Sequence, residues 1–245
     1  MARETPLLAV LIDADNTSHS WAEPIFEEIA ALGEAGVRRA YGDFTSTHLK
    51  GWQAKLAPLA LVPQHSPANT VGKNSSDISL VIDAMDLLHT GRFDGFVLVS
   101  SDSDFTRLAS RIREQGLDVF GIGQRKTPEA FRNACKRFIY IENLIHKDPV
   151  PVAAPVLGEP VAAAPVSDKL SPRDAIPLIV AAMRTVGGDE EWYTLGQIGQ
   201  YITQANPDFD TRTYGAKSLS DLVRRSGRFE VKQGPGGQLI IADLA

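Results

Sequence analysis

The chain has 245 residues, a mass of 26.6 kDa and a net charge of −5. With 43% hydrophobic and 22% charged residues it is composed to bury a core, which excludes a disordered chain, and its acidic balance excludes coating nucleic acid by bulk charge, though not a local basic patch. The single Cys135 excludes an internal disulfide framework or a cysteine-based zinc cluster, and the early apolar run Leu7–Ile12 is far short of the roughly 20 residues of a membrane helix and leaves no room for a secretory leader, so a cytosolic, non-membrane protein is expected.

In chain order, Leu7–Asp13 reads as a buried strand ending in polar residues. Ser20 and Glu23 have capping-box spacing, and Pro24 sits in the first turn of a helix reaching about Ala35. Val37–Tyr41 is a second strand, His48–Leu59 a helix, and Ala60–Pro63 a short third strand. Ile78, Val81, Ile82, Met85 and Leu88 have helical spacing over Asp77–Leu88, with Ser75 or Ser76 as the cap. Phe96–Ser100 is a strand, and a helix runs from about Asp104 to Gln115, stopped by Gly116. Leu117–Gly121 is a strand, Thr127-Pro128-Glu129 opens another helix, and Phe138–Ile141 is the last strand. Continuous apolar strands alternating with helices predict an α/β, Rossmann-like parallel sheet covered on both faces.

From Lys147 to Lys169 the chain is Pro-, Ala- and Val-rich, with prolines at Pro149, Pro151, Pro155, Pro160 and Pro165. That composition predicts a semi-extended linker at 147–169 between domains at 1–146 and 170–245. The second domain reads as helices at about Asp174–Thr185, Leu195–Asn206 (capping box Thr194/Gln197) and Tyr214–Ser226. Strands Phe229–Gln233 and Gln238–Ala242 follow, joined by a Gly- and Pro-rich turn. Three helices and a hairpin predict a small winged-helix (α+β) domain.

The chemistry of the first domain is acidic. Asp13 closes the first strand, Asp102 and Asp104 follow the fourth, and Asp77 opens the helix before the fourth. In an open parallel sheet, ligands bind beyond the carboxyl ends of the strands, where the strand order reverses. If strands one and four are neighbours there, the four carboxylates converge. Two carboxylates about 4 Å apart repel by about 4 kcal/mol at an effective dielectric of 20, so the cluster needs protons or a cation. Hard oxygen ligands without nearby His or Cys indicate Mg²⁺ or Mn²⁺. Asn16 is placed to orient a phosphate or water, and Lys73 to contact a phosphate oxygen. Singly, each Asp has an ordinary structural explanation as a helix-terminal or turn residue; it is the set at matching strand ends that points to a site. Asp15, Asp83, Asp86 and Asp94 read as surface or capping residues.

The stretches VLIDADN, KNSSDISLVIDA and FVLVSSDSDF resemble the three acidic motifs of the NYN domain, a branch of the PIN-like nuclease superfamily, in order and spacing across about Leu7–Leu144. The resemblance implies a metal-dependent endoribonuclease, with Asp13, Asp77, Asp102 and Asp104 as metal-binding and catalytic residues and Asn16 as their polar partner. Ser101 departs from the Gly that many relatives carry in this turn, and is expected to be tolerated where no positive φ is needed. The string Asp13-Ala-Asp15-Asn-Thr17 also fits the nucleophile motif of haloacid-dehalogenase-type phosphatases, with Asp13 attacking phosphorus and Asp15 as acid/base. That family, however, places a hairpin flap where a helix is predicted here.

Between Arg107 and Arg137 eight basic residues (Arg107, Arg111, Arg113, Arg125, Lys126, Arg132, Lys136, Arg137) face three acids. A solvated helix face is the plain reading; a patch holding a polyanion beside the acidic residues is the functional one. Gly121-x-Gly123 is too short for a dinucleotide fingerprint. In the second domain, Lys217, Arg224, Arg225, Arg228 and Lys232 lie on or after the third helix, where a winged helix reads its ligand. This segment resembles the OST-HTH/LOTUS domain, which implies RNA binding or, in some members, protein binding. The expectation is therefore a ribonuclease acting on RNA, single-stranded by preference, with a non-catalytic RNA-binding scaffold as the alternative from another class.

Overall fold

The computed structural model describes residues 4–65, 75–144, 169–187 and 191–244. The chain divides into two compact units, Met1–Leu144 and Ile145–Ala245. Apart from Lys169, the expected linker lies outside the described residues, as do Lys73 and the residue that would cap the helix at Ser75. No helix among the described residues is long and apolar enough to cross a membrane.

The first unit is one sheet of six parallel strands: β1 Leu7–Asp13, β2 Glu34–Gly42, β3 Val62–His65, β4 Gly95–Val99, β5 Asp118–Gly123 and β6 Arg137–Tyr140. Their spatial order is β3-β2-β1-β4-β5-β6. The chain builds outward from β1 in one direction, returns through α3 (Ser75–His89), and builds outward again from β4. The reversal therefore falls between β1 and β4, which pair from Leu8↔Gly95 to Ile12↔Val99.

Side chains alternate across a strand, so an apolar β1 feeds two cores. Leu8, Val10 and Ile12 pack with Ala22, Ile25 and Ile29 of α1 (Ala22–Leu32) and with Trp52 of α2 (Lys50–Leu56). Ala9 and Leu11 face the opposite layer, with Leu80, Ala84 and Leu87 of α3, Leu108 and Ile112 of α4 (Thr106–Glu114), and Phe131 of α5 (Glu129–Ala134). Gly121 and Gly123 are packing glycines: a Cβ on Gly121 would lie 2.5 Å from the Phe138 ring, and one on Gly123 2.5 Å from the Ser100 carbonyl oxygen.

The Ser20/Glu23 capping box does not form. Ser18 instead caps a short 3₁₀ turn, His19–Trp21, by accepting from the Ser20 N–H, and α1 starts at Ala22 without a side-chain cap. Trp52 secures this connection. It is 1% exposed, and its Nε1 donates to the Thr17 carbonyl at 2.8 Å, tying α2 to the loop that leaves β1. Trp52→Ala is expected to destabilise the unit by about 3–5 kcal/mol, read as a lower denaturant midpoint.

The second unit holds α6 (Ile176–Gly187), α7 (Leu195–Ala205), α8 (Leu219–Ser226) and an antiparallel sheet ordered β7-β9-β8, with β7 Tyr193–Thr194, β8 Phe229–Gln233 and β9 Leu239–Asp243. Ile179, Ile198, Ile202, Leu222, Val223 and Ile241 form its core. The third helix begins later than its periodicity predicts. Thr211–Tyr214 is a separate 3₁₀ turn, Gly215 adopts the left-handed conformation (φ 68°), and Ser218 caps α8 by accepting from the Asp221 N–H. The two-residue β7 is too short to show a sequence period.

Candidate nuclease-like site

Asp13 is the last residue of β1 and is 1% exposed. Its carboxylate accepts three hydrogen bonds: from the Asn16 N–H at 3.2 Å, the Asn16 Nδ2 at 2.9 Å and the Ser100 Oγ at 2.8 Å. Burial nevertheless dominates and pushes its pKa up; the bonds from the Asn16 side chain, Ser100 and the Asn16 backbone oppose the shift, and the charge of Asp15 adds to it. A carboxylate has about four lone-pair positions, so Asp13 keeps acceptor capacity after these three bonds.

Ser100, 2% exposed at the end of β4, links the two strand ends. Its Oγ donates to Asp13 and accepts from the Asp102 N–H at 3.1 Å. Asp102 in turn accepts from the Asp104 N–H at 2.9 Å, capping the 3₁₀ turn Ser103–Phe105 that leads into α4. Ser101 has no positive φ; its Oγ accepts from the Gln124 N–H at 2.9 Å, a tether that a glycine here could not supply. Ser100→Ala is expected to destabilise the fold by about 1–2 kcal/mol, read by thermal melting.

Asp77 lies in the first turn of α3, and its pKa is raised to about 6. Burial is the largest cause, followed by the charges of Asp13, Asp102, Asp15 and Asp104 in that order. Asp77 is therefore within electrostatic reach of the other three acids expected to converge, and of Asp15. Asp15, which reads from sequence as a surface residue, is half-buried and accepts from the Asp43 N–H at 3.4 Å. The part played by Ser100 is also invisible in sequence, since a serine at a strand end carries no chemical signature until its neighbour strand is known. Asn16 is exposed, and its amide N–H is directed at Asp13, which makes it an orienting residue for that carboxylate.

This donor set is all carboxylate and hydroxyl oxygen plus one amide, the chemistry of a hard divalent cation. Among the described residues, no three His, Cys, Asp or Glu side chains are drawn together into a ready-made metal cage. The fit is thus one of ligand type and mutual repulsion, with an open arrangement of carboxylates. Between β1 and α1 the described residues hold turns and a 3₁₀ helix but no strand, hence no hairpin flap of the phosphatase kind.

The basic residues separate. Arg107, exposed on the first turn of α4, and Lys126, exposed in the loop after β5, sit toward the carboxyl ends of the strands and make no ion pair with a described residue. Arg125 stacks over the Tyr140 ring at 5.6 Å and donates to Asn143 at 3.3 Å; Arg132 donates to the Tyr140 hydroxyl at 2.6 Å. Lys136 lies beyond α5, which ends at Ala134, and pairs at 2.6 Å with Asp118, which opens β5, at the opposite edge of the sheet. Arg113, on the last turn of α4, reaches the carbonyls of Ala134 and Cys135 near that same edge. In the second unit Lys217 and Arg224 are exposed without ion pairs to described residues, while Arg225 pairs with Asp221 at 3.5 Å.

The family models match this division. Residues 7–142 match the NYN domain, and residues 171–241 match the OST-HTH/LOTUS domain. Among solved structures, the chain is similar to a protein of unknown function from Vibrio parahaemolyticus, at 21% identity and a TM-score of 0.48, covering 58% of this chain and 96% of that one. It is also similar to an uncharacterized protein from Nitrosomonas europaea, at 34% identity and a TM-score of 0.27, covering 39% of this chain and 90% of that one. No curated protein matches the chain. With six parallel strands, a carboxylate set at the point of strand reversal and a family match over more than half its length, the chain belongs to the NYN domain family and carries a C-terminal OST-HTH/LOTUS domain.

Proposed function

We propose that the protein is a cytosolic, Mg²⁺- or Mn²⁺-dependent endoribonuclease that hydrolyses single-stranded RNA, with the C-terminal unit as its RNA-binding module. The observation that carries this reading is geometric: β1 and β4 end side by side, and the Ser100 hydroxyl joins the Asp13 carboxylate of one strand end to the Asp102 backbone of the other; the raised carboxyl of Asp77 agrees with it. Asp13, Asp77, Asp102 and Asp104 would hold the cation. When bound, it offsets their repulsion, stabilises charge on the phosphodiester and makes water a better nucleophile. The chain's own residues perform the rest. Asn16 and Ser100 fix the Asp13 carboxylate, Ser100 and Asp102 set the loop that presents Asp104, and Arg107, Arg125 and Lys126 hold flanking phosphates. Lys73 would join them from the segment before α3. The C-terminal unit raises the concentration of RNA at the site through covalent linkage, with Lys217, Arg224 and Arg225 as phosphate contacts.

The open spacing of the carboxylates favours one second reading, a non-catalytic RNA-binding protein that retains the acidic residues. The experiment that separates the two is incubation of the full chain with end-labelled single-stranded RNA in Mn²⁺, Mg²⁺ or EDTA, beside an Asp13→Asn/Asp104→Asn double variant. Cleavage in metal, absent in EDTA and in the variant, is expected. RNA bound but uncut in every metal would move the protein to the second reading.

A further inference from the structure

The C-terminal sheet has two faces of different character. In register, Lys232 and Thr194 both oppose Ile240, so these three share one face, and Trp192, two residues before Thr194, joins them. The other face sends Tyr193, Phe229, Val231 and Ile241 into the core. On the outer face Trp192 is half-buried and Lys232 exposed, with the Lys232 Nζ 3.2 Å from the centre of the Trp192 ring. Ile240 is partly buried beside them, and Ala242 is buried. The apolar ground on this face is one indole edged by one isoleucine, the size of a nucleobase and too small for the anchor cluster of a protein interface. Exposed Glu230 lies two residues from Lys232 on the same face, so the positive end of the platform is the Lys232 end.

We propose that this face is a nucleobase-stacking platform for single-stranded RNA: a base displaces the Lys232 ammonium from the Trp192 ring, and the freed ammonium pairs with an adjacent phosphate. The exchange is favourable in magnitude. A base stacked on an aromatic side chain contributes roughly 5- to 150-fold to a binding constant, against roughly 2- to 5-fold for an exposed cation–π pair. The displaced ammonium is then recovered as a phosphate contact. The polyanion would run past Lys232 and away from Glu230. The inference rests on the RNA reading above, but on different residues and a different unit from the carboxylates.

The test uses the full chain and a fluorescein-labelled oligouridylate of about twelve nucleotides in EDTA, so that cleavage plays no part. Trp192→Ala is expected to weaken binding 5- to 150-fold at every salt concentration, with Trp192→Phe intermediate. Lys232→Ala is expected to weaken binding at low salt only, reducing the slope of log K against log salt by about 0.7. Trp192 emission, taken as the difference between wild type and Trp192→Phe, should be quenched by RNA. Thermal melts of each variant separate misfolding from lost contact, and Trp192→Phe keeps a ring in place if Trp192→Ala fails to fold. Wild-type affinity in well-folded Trp192 variants would overturn the platform while leaving RNA binding intact. No RNA binding by the wild type in EDTA would overturn both the platform and the RNA-module reading. Cleavage results bear on neither outcome.

Discussion

Asp13→Asn is expected to reduce RNA cleavage on the order of 10³-fold, because it removes a charge from the proposed cation-holding set, where that charge would be worth several kcal/mol in the transition state. The same substitution should leave the melting temperature at neutral pH unchanged or higher. The sign follows from burial. The folded chain raises the Asp13 pKa, so the ionised carboxylate is less stable in the fold than in the unfolded chain, and its contribution declines as pH rises through that value. Asparagine keeps the shape and one carbonyl oxygen for Ser100 and the Asn16 amide, losing the bond from the Asn16 N–H. Asp13→Ala, by contrast, strands those donors and should destabilise the unit by about 1–3 kcal/mol. Cleavage assays and melts on both variants read the two effects independently. Parallel loss of activity and stability in Asp13→Asn would mean that the residue serves the fold alone.

The second large effect is a pair of opposite pH dependences centred on Asp77. Its carboxyl titrates near 6 in the fold, against an ordinary 3.8. A cation ligand must be deprotonated, so cleavage should fall about tenfold for each pH unit below 6. Stability in EDTA should move the other way. The folded chain holds this proton more tightly than the unfolded chain, so the stabilisation is complete below about 3.8 and is lost as pH rises through about 6. A two-unit shift corresponds to about 3 kcal/mol in full, and to about 1–2 kcal/mol after solvent screening of a half-exposed group. Glu23 and Asp43, both held below their ordinary values, chiefly by bonds from Lys55 and Thr45, titrate in the opposite sense. The measurement is therefore the difference in melting temperature between wild type and Asp77→Asn from pH 4 to 7.5. It should shift by a few degrees in favour of the variant as pH rises. Addition of Mn²⁺ at pH 7.5 should recover the loss in the wild type only.

Much of this arrangement is legible in the residues because strand ends in a parallel sheet are marked by composition. The run Leu7–Ile12 is apolar at every position since both sheet faces are covered, and the first acid after it marks the carboxyl edge. Strand order is a different matter: that β1 and β4 are neighbours depends on long-range pairing, which local periodicity does not encode. For the same reason the roles of Ser100 and Asp15 emerge only in three dimensions. The basic stretch misleads in a simple way. Eight cations within 31 residues pass from the carboxyl edge along α4 to the far edge and back along β5, so a patch in sequence becomes groups at both ends of the sheet. Ser20 and Glu23 have capping-box spacing, yet Ser18 takes the cap because a 3₁₀ turn precedes the helix.

The central claim is that the aspartates at the ends of β1 and β4 and the start of α3 act as one cation site. Calorimetric titration of the full chain with Mn²⁺ at pH 7.5, beside the Asp13→Asn/Asp104→Asn variant, addresses it directly. A saturable heat of binding that vanishes in the folded double variant is the predicted result. Equal heats in both proteins would mean that the cation binds elsewhere, and would contradict the account.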